Sequence, residues 1–284
     1  MVFYMPLVSV GVTSYNKPDL LGLTLQNIVN QTYRKLEIIV ALDAPPDIRT
    51  IEICKNFSKS DARIKVFIHE KNIGSDANTR FVLSKATGEL FFWADEDDLR
   101  DITWVEELVG PFNDNSVTFS IGLIENIDQQ GLTLKNFSSV RFTGNKLFSA
   151  LKFFIQPERF GKCNLIYALF RTENLRKSKH WTLYKCNNYF FGDNVFAFDQ
   201  ILNGKGCYKK NVYFYKRTHN YSKADLKMLP NSAKRAIHLI RYSIECINII
   251  KVTRIRILFY FILPMKLLFL FSDTILCRIA GKLK

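Results

Sequence analysis

Four acidic residues in a row, Asp95-Glu96-Asp97-Asp98, follow directly on the apolar run Leu90-Phe91-Phe92-Trp93-Ala94. Adjacent carboxylates repel one another, and beside a buried strand end that repulsion is poorly screened, so a divalent cation is their natural counter-charge. Hard oxygen donors suit Mg²⁺ or Mn²⁺. The same residues also suit a solvated turn before a helix, since Thr103 and Glu106 have capping-box spacing and acids are favoured near a helix start.

The elements that must position these acids alternate in type. The five-residue aromatic run is too short for a helix and reads as a strand covered on both faces, with the acids at its carboxyl end, where open α/β sheets bind ligands. Upstream, Leu7 to Thr13 and Leu36 to Leu42 read as strands, as does Ile64 to His69. Between them, a helix capped by Asp19 runs to about Asn30 with Leu21, Leu25 and Ile28 on one face, and another surrounds Ile51, Cys54 and Phe57. Ser75 to Ala86 reads as a helix with Gly88 just past its end. This alternation predicts βαβ units and a mostly parallel sheet flanked by helices. Further on, Val117 to Ile124 and Asn164 to Phe170 read as strands, and Gly192-Asp193 leads a helix with Val195, Phe198 and Leu202 on one side. The glycine fingerprints of dinucleotide-binding and P-loop folds are missing, so a nucleotide would be held another way.

Composition bounds the rest. With 284 residues, 48% of them hydrophobic, the chain can bury a substantial core. Its six cysteines are scattered without metal-site spacing, which favours reduced thiols in a reducing compartment. The start MVFYMPLVSV lacks a basic segment before its apolar residues and reads as a first strand, so the expectation is a cytoplasmic catalytic part. The net charge of +14 implies an anionic partner. From Pro230 onward ten Lys and Arg residues face only Glu245 and Asp273, and much of this charge adjoins apolar residues. That distribution argues against nucleic acid, which would call for basic residues interleaved with exposed aromatics on the folded domain.

The stretches VSVGVTSYNKPDLLGLTLQNIVNQTYRKLEIIVALD and NIGSDANTRFVLSKATGELFFWADEDD resemble family 2 glycosyltransferases of the GT-A fold, closely over residues 6 to 110 and more loosely over 115 to 222. The resemblance implies an α/β GT-A domain over 1–229, with a nucleotide-binding half at 1–110 and an acceptor half at 111–229; the change in composition after Pro230 marks off a C-terminal helical tail at 230–284. It implies a nucleoside diphosphate sugar donor and a saccharide or lipid-linked acceptor. Thr13 and Tyr15 fall where the family contacts the nucleoside, and Asp43 where a carboxylate accepts from the base. Asp95-Glu96-Asp97 aligns with the DxD motif, with Asp95 and Asp97 facing the metal. Asp193 stands at the catalytic acid position, here written Gly192-Asp193. Arg217 and His219 in YFYKRTHNYS match a late motif that returns to the diphosphate, with His219 a further metal ligand. Arg80 stands where many members have Asn. A carboxylate in reach of a sugar hydroxyl can take its proton as attack proceeds, and direct displacement inverts the anomeric centre.

The tail segment Ile255 to Phe271 is very apolar but contains Pro264 and Lys266, with Arg254 and Arg256 at its edge. A span needs about 20 apolar residues, so basic helices lying on an anionic membrane surface are expected, with Phe259, Tyr260 and Phe261 entering the acyl boundary. The expected location is the inner face of the cell membrane, and the family resemblance implies a part in envelope polysaccharide synthesis. A lid or a homodimer contact is the other use for such a tail. Two other classes compete with this reading. A nucleotidyltransferase would want a Gly-rich basic loop near the first strand, and a non-enzymatic basic membrane-bound assembly protein would need no acidic site.

Overall fold

The computed structural model describes residues 5–137, 145–156, 162–178, 192–218 and 232–282. Two compact units divide the chain: Met1–Ser138, Ile166–Lys177 and Gly206–His219 form the first, and Ser139–Leu165, Ser178–Lys205 and Asn220–Lys284 the second. The tail falls in one unit with 139–165 and 178–205.

The first unit opens with β1 (Val8–Ser14), α1 (Pro18–Val29), β2 (Leu36–Leu42), α2 (Ile48–Ser60), β3 (Ile64–Ile68), α3 (Ser75–Lys85) and β4 (Leu90–Asp95). β2 is buried at every position, as its uninterrupted apolar sequence requires. α1 starts at Pro18, whose fixed φ and missing N–H suit a first turn, and buries Leu21, Leu25 and Ile28 at helical spacing. Asp19 is therefore not the cap: it lies in the first turn and pairs with Arg49. α2 has a side-chain cap, in which Asp47 accepts from the Thr50 N–H at 2.7 Å.

The strands β3-β2-β1-β4 pair in parallel. Antiparallel strands then extend the sheet: β5 (Leu99–Arg100), β6 (Val117–Ile127), β7 (Thr133–Phe137), β8 (Leu169–Arg171) and β9 (Lys205–Arg217), in the order β3-β2-β1-β4-β8-β6-β9-β5 with β7 beside β6. Two readings change here. Residues Lys162–Tyr167 form a 3₁₀ turn and only Leu169–Arg171 pairs as strand, because an apolar run alone does not distinguish the two. Thr103 makes no side-chain cap for α4 (Trp104–Val109), and Glu106 instead accepts from Thr32 Oγ1 at 2.5 Å.

The strand starts are fixed by a buried acid. Glu37 accepts from Ser9 Oγ, from the Thr87 N–H and hydroxyl, and from the Gly88 N–H. Burial favours the protonated form, but those donors outweigh it and hold the carboxyl below its usual range. Gly88 is needed for close approach and does not cap α3, whose C-cap is Ala86. A Cβ at position 88 would lie 2.6 Å from both Leu7 O and Ser9 Oγ. Gly88→Ala is expected to cost roughly 1–3 kcal/mol of stability in urea unfolding, as overpacking does. A change below about 0.5 kcal/mol, the scale of an ordinary surface substitution, would contradict this packing account.

The second unit is helical among its described residues: α5 (Lys146–Ile155), α7 (Gly192–Asn203), α8 (Ser232–Ile249) and α9 (Thr253–Lys282). The short α6 (Thr172–Lys177) belongs to the first unit. Aromatic contacts join α9 to its neighbours, with Phe259 5.1 Å from Phe154 and 5.8 Å from Phe198 between ring centres. Lys266 is fully buried and donates to Phe154 O at 2.7 Å. Phe259 and Lys266 are thus core residues and are not available to a lipid surface, in contrast to the expectation for this tail.

Candidate active site

The carboxyl ends of β1, β2 and β4 and the segment after β3 surround a cavity of about 560 Å³. From the first strand come Thr13, Ser14, Tyr15 and Lys17, from the second Asp43, and from the turn into α3 Asn72, Gly74, Ser75 and Asn78. Asp95 to Asp98 follow β4, and Tyr167, Lys216 and Arg217 complete the lining. This is the edge at which a parallel sheet places its ligands.

The four acids have different partners. Glu96 is turned toward the first strand end, accepting from Ser14 Oγ at 2.6 Å and the Tyr15 N–H at 2.8 Å. Asp98 is buried and accepts from the Arg217 N–H at 2.9 Å. Burial first, then the charges of Asp95 and Asp97, push its carboxyl up to about 8. Asp95 is open to the cavity yet ringed by protein atoms, and desolvation followed by the neighbouring Asp97 raises its carboxyl as well. Its polar contact is Thr13 Oγ1 at 3.4 Å. Asp97 accepts from Lys17 Nζ at 2.9 Å. Desolvation lowers the Lys17 ammonium pKa, but the hydrogen bond and charge of Asp97, with Glu96 and Asp95 beside it, raise it by more. Deeper in the first unit, Arg100 is packed among the Phe92, Trp104 and Phe214 rings at 5.1 to 5.6 Å, and burial lowers its pKa to about 10.

Asp95 and Asp97 are therefore the two acids of the cavity lining that offer oxygens to a cation, and the charge of Asp97 adds to the cost of ionising Asp95. An all-oxygen pair of this kind fits Mg²⁺ or Mn²⁺, which take the remainder of their shell from phosphate oxygens and water. Among the described residues no three His, Cys, Asp or Glu side chains gather as a closed cation cage. His219, expected as a ligand, lies outside the described residues.

Asp43 accepts from the Ala44, Ile73 and Gly74 N–H groups at 2.8 to 3.0 Å, so it shapes the loop before α3, where Gly74 has φ +81°. Arg217 lines the cavity, but its guanidinium donates to the carbonyls of Asp97, Asp128 and Gln129 at 2.7 to 3.0 Å. Arg80 is half-buried on α3 and is not among the lining residues; its Nη1 has no hydrogen-bond partner among the described residues. Asp193 lies in the first turn of α7, in the second unit. Sequence reasoning missed Lys17, Asn78, Tyr167 and Lys216. For Lys17 the available signal was a lone cation in the turn after the first strand, at the same sheet edge as the four acids.

The acids at the β4 end of this sheet stand where open α/β folds place their ligands. The sequence profile of "Glycosyl transferase family 2" matches residues 9–178, and the chain belongs to that family. The cholesterol galactosyltransferase of Borreliella burgdorferi is 29% identical over 218 residues, covering 73% of this chain and 59% of its own. The GalNAc(5)-diNAcBac-PP-undecaprenol beta-1,3-glucosyltransferase of Campylobacter jejuni is 37% identical over 95 residues, covering 33% of this chain and 30% of its own. The chain thus spans less than two thirds of the length of these relatives. The solved mannosyltransferase PcManGT from Pyrobaculum calidifontis, in complex with GDP-Man and Mn²⁺, superposes with a TM-score of 0.58 at 17% identity, over 89% of this chain and 67% of that one. At that identity the likeness shows a shared GT-A fold.

Proposed function

We propose that the chain transfers a sugar from a nucleoside diphosphate donor, held in the strand-end cavity, to a saccharide or lipid-linked acceptor with inversion. The observation that carries this is the convergence of Tyr15, Asp43, Asp95 and Asp97 on one cavity at the carboxyl ends of three parallel strands. Tyr15 is exposed and offers a ring face to a base, with Thr13 beside it. Asp43 holds the loop before α3 with three of its four lone-pair sites and keeps the fourth, on Oδ2, for the base edge. Asp95 and Asp97 would hold Mn²⁺ or Mg²⁺, which when bound neutralises the charge of the departing diphosphate. Lys216 adds positive charge to the same wall, and Arg217 fixes the acidic turn through its carbonyl contacts. Asp193 is assigned as the base that takes the acceptor hydroxyl proton while the bond from anomeric carbon to diphosphate oxygen breaks. The PcManGT complex with GDP-Man and Mn²⁺ supports the donor class, and the names of the two bacterial relatives support a lipid or lipid-linked acceptor.

The test is a screen of UDP-, GDP-, ADP- and CDP-sugars for Mn²⁺-dependent release of the nucleoside diphosphate, with the product anomer read by NMR. Turnover of at least one donor class, with the anomer inverted, is expected. No release from any of them, or a retained anomer, would contradict the assignment.

The tail supports action at an anionic membrane surface. No helix among the described residues is long and apolar enough to cross a membrane. On α9, however, Leu258, Phe261, Met265 and Leu268 recur at helical spacing and are exposed, Phe261 at 80%, while Phe259 at 0% faces inward. Lys251 and Arg254 stand exposed at the same end. Phe261→Glu with Leu268→Glu is expected to reduce binding to anionic vesicles by about tenfold or more, since burying such a side chain contributes roughly 1.5–3 kcal/mol. Sedimentation with vesicles containing phosphatidylserine measures this. Undiminished binding, or a change in oligomeric state alone, would make this face a protein contact.

A further inference from the structure

The cavity wall carries a cation to which the proposed transfer gives no part. Lys17 follows Asn16, which sits at φ 57° in the turn after β1. That turn is clamped on both sides: Asn16 Nδ2 donates to Pro45 O at 3.1 Å, and Asn16 Oδ1 accepts from the Asp47 N–H at 2.9 Å. The Lys17 carbonyl is fixed in turn, accepting from the Leu21 N–H at 2.9 Å as α1 begins. With its backbone held, the side chain reaches Asp97 Oδ2 at 2.9 Å and stands 3.8 Å from Glu96 Oε1. Only the Asp97 contact is within hydrogen-bond distance, so Asp97 is the principal partner.

The two ends of this pair differ in their freedom. The Lys17 side chain is 41% exposed and that of Asp97 only 10%. The ammonium can therefore swing into solvent without unpacking anything, whereas the carboxylate stays. An ammonium and a divalent cation repel each other and compete for one carboxylate oxygen.

We infer that Lys17 is a tethered counter-ion that neutralises Asp97 in the empty cavity and gives up that oxygen when a divalent cation binds, so that it sets the metal affinity of the donor-free protein. The inference rests on the reading of Asp95 and Asp97 as the cation's ligands. Its consequence is that metal binding is weakened until the lysine is displaced, by the factor with which the ion pair is favoured over its open form. Ion pairs that are partly exposed are favoured modestly, which places the factor in the range of about two to five.

Mn²⁺ titration of the full chain, followed by electron paramagnetic resonance without nucleotide, tests this in four proteins. Lys17→Met is expected to bind Mn²⁺ about two- to fivefold more tightly than wild type, and Lys17→Arg, which keeps a cation on Asp97, close to wild type. Asp97→Asn is expected to lose the site. Equal or weaker affinity in Lys17→Met, with the site still lost in Asp97→Asn, would overturn the role of Lys17 and leave the cation reading standing. Absence of Mn²⁺ binding in both wild type and Lys17→Met, or binding indifferent to Asp97→Asn, would overturn both. Thermal melts of each variant confirm that they are folded.

Discussion

Asp193→Asn is expected to leave donor binding near wild type while the transfer rate falls by about 10²–10⁴, the range for loss of a general base. The substitution removes the proton acceptor with almost no change in volume, and Asn is well tolerated in the first turn of a helix, where Asp193 stands. An acid placed there only for the helix dipole contributes about 0.3–1 kcal/mol, which would show as a small loss of stability with transfer intact. Paired measurement of donor affinity and of transfer separates the two roles, because a base acts on the rate of the transfer step and not on the donor complex. Transfer retained within a few-fold of wild type would reduce Asp193 to a helix-terminal acid.

Asp97→Asn should behave in the opposite way, with both donor affinity and transfer falling, transfer by about a hundredfold or more. Metal stabilisation of a departing diphosphate is worth several kcal/mol, and removing one of two cavity-facing carboxylates removes most of the site's attraction for the cation. The fold should survive, since the Lys17 side chain that donates to Asp97 is 41% exposed and its ammonium can turn to water. Melting within a few degrees of wild type is the expected control.

The acids' positions were readable from sequence, but their roles were not. An aromatic run of strand length announced β4, and the uninterrupted apolar stretch Leu36 to Leu42 announced β2, because burial on both faces leaves no room for polar residues. Which of four adjacent carboxylates faces the cavity depends on partners far along the chain. Ser14 claims Glu96, and the Arg217 backbone, 119 residues from Asp98, claims Asp98. Arg217 looked like a phosphate ligand by its motif, and its engagement with three carbonyls follows from the pairing of β9 with β5, which nothing local encodes. The tail was ambiguous for a different reason. Ile255 to Phe271 is apolar nearly all round, so periodicity alone did not show that Phe259 packs on Phe154 and Phe198 while Phe261 stays outside. Asn164 to Phe170 failed as a strand because an apolar run of that length does not distinguish a ladder from a 3₁₀ turn.

The account stands on the claim that one cavity holds both the diphosphate and the cation. Calorimetric titration of wild type and Asp97→Asn with UDP, GDP, ADP and CDP, each with Mn²⁺ and with a chelator, tests that most directly. The account predicts saturable one-to-one binding of at least one nucleotide to wild type with Mn²⁺, weakened at least tenfold by the chelator and to a similar degree by Asp97→Asn. Binding of equal strength in all conditions and both proteins, or no binding of any of the four, would contradict it.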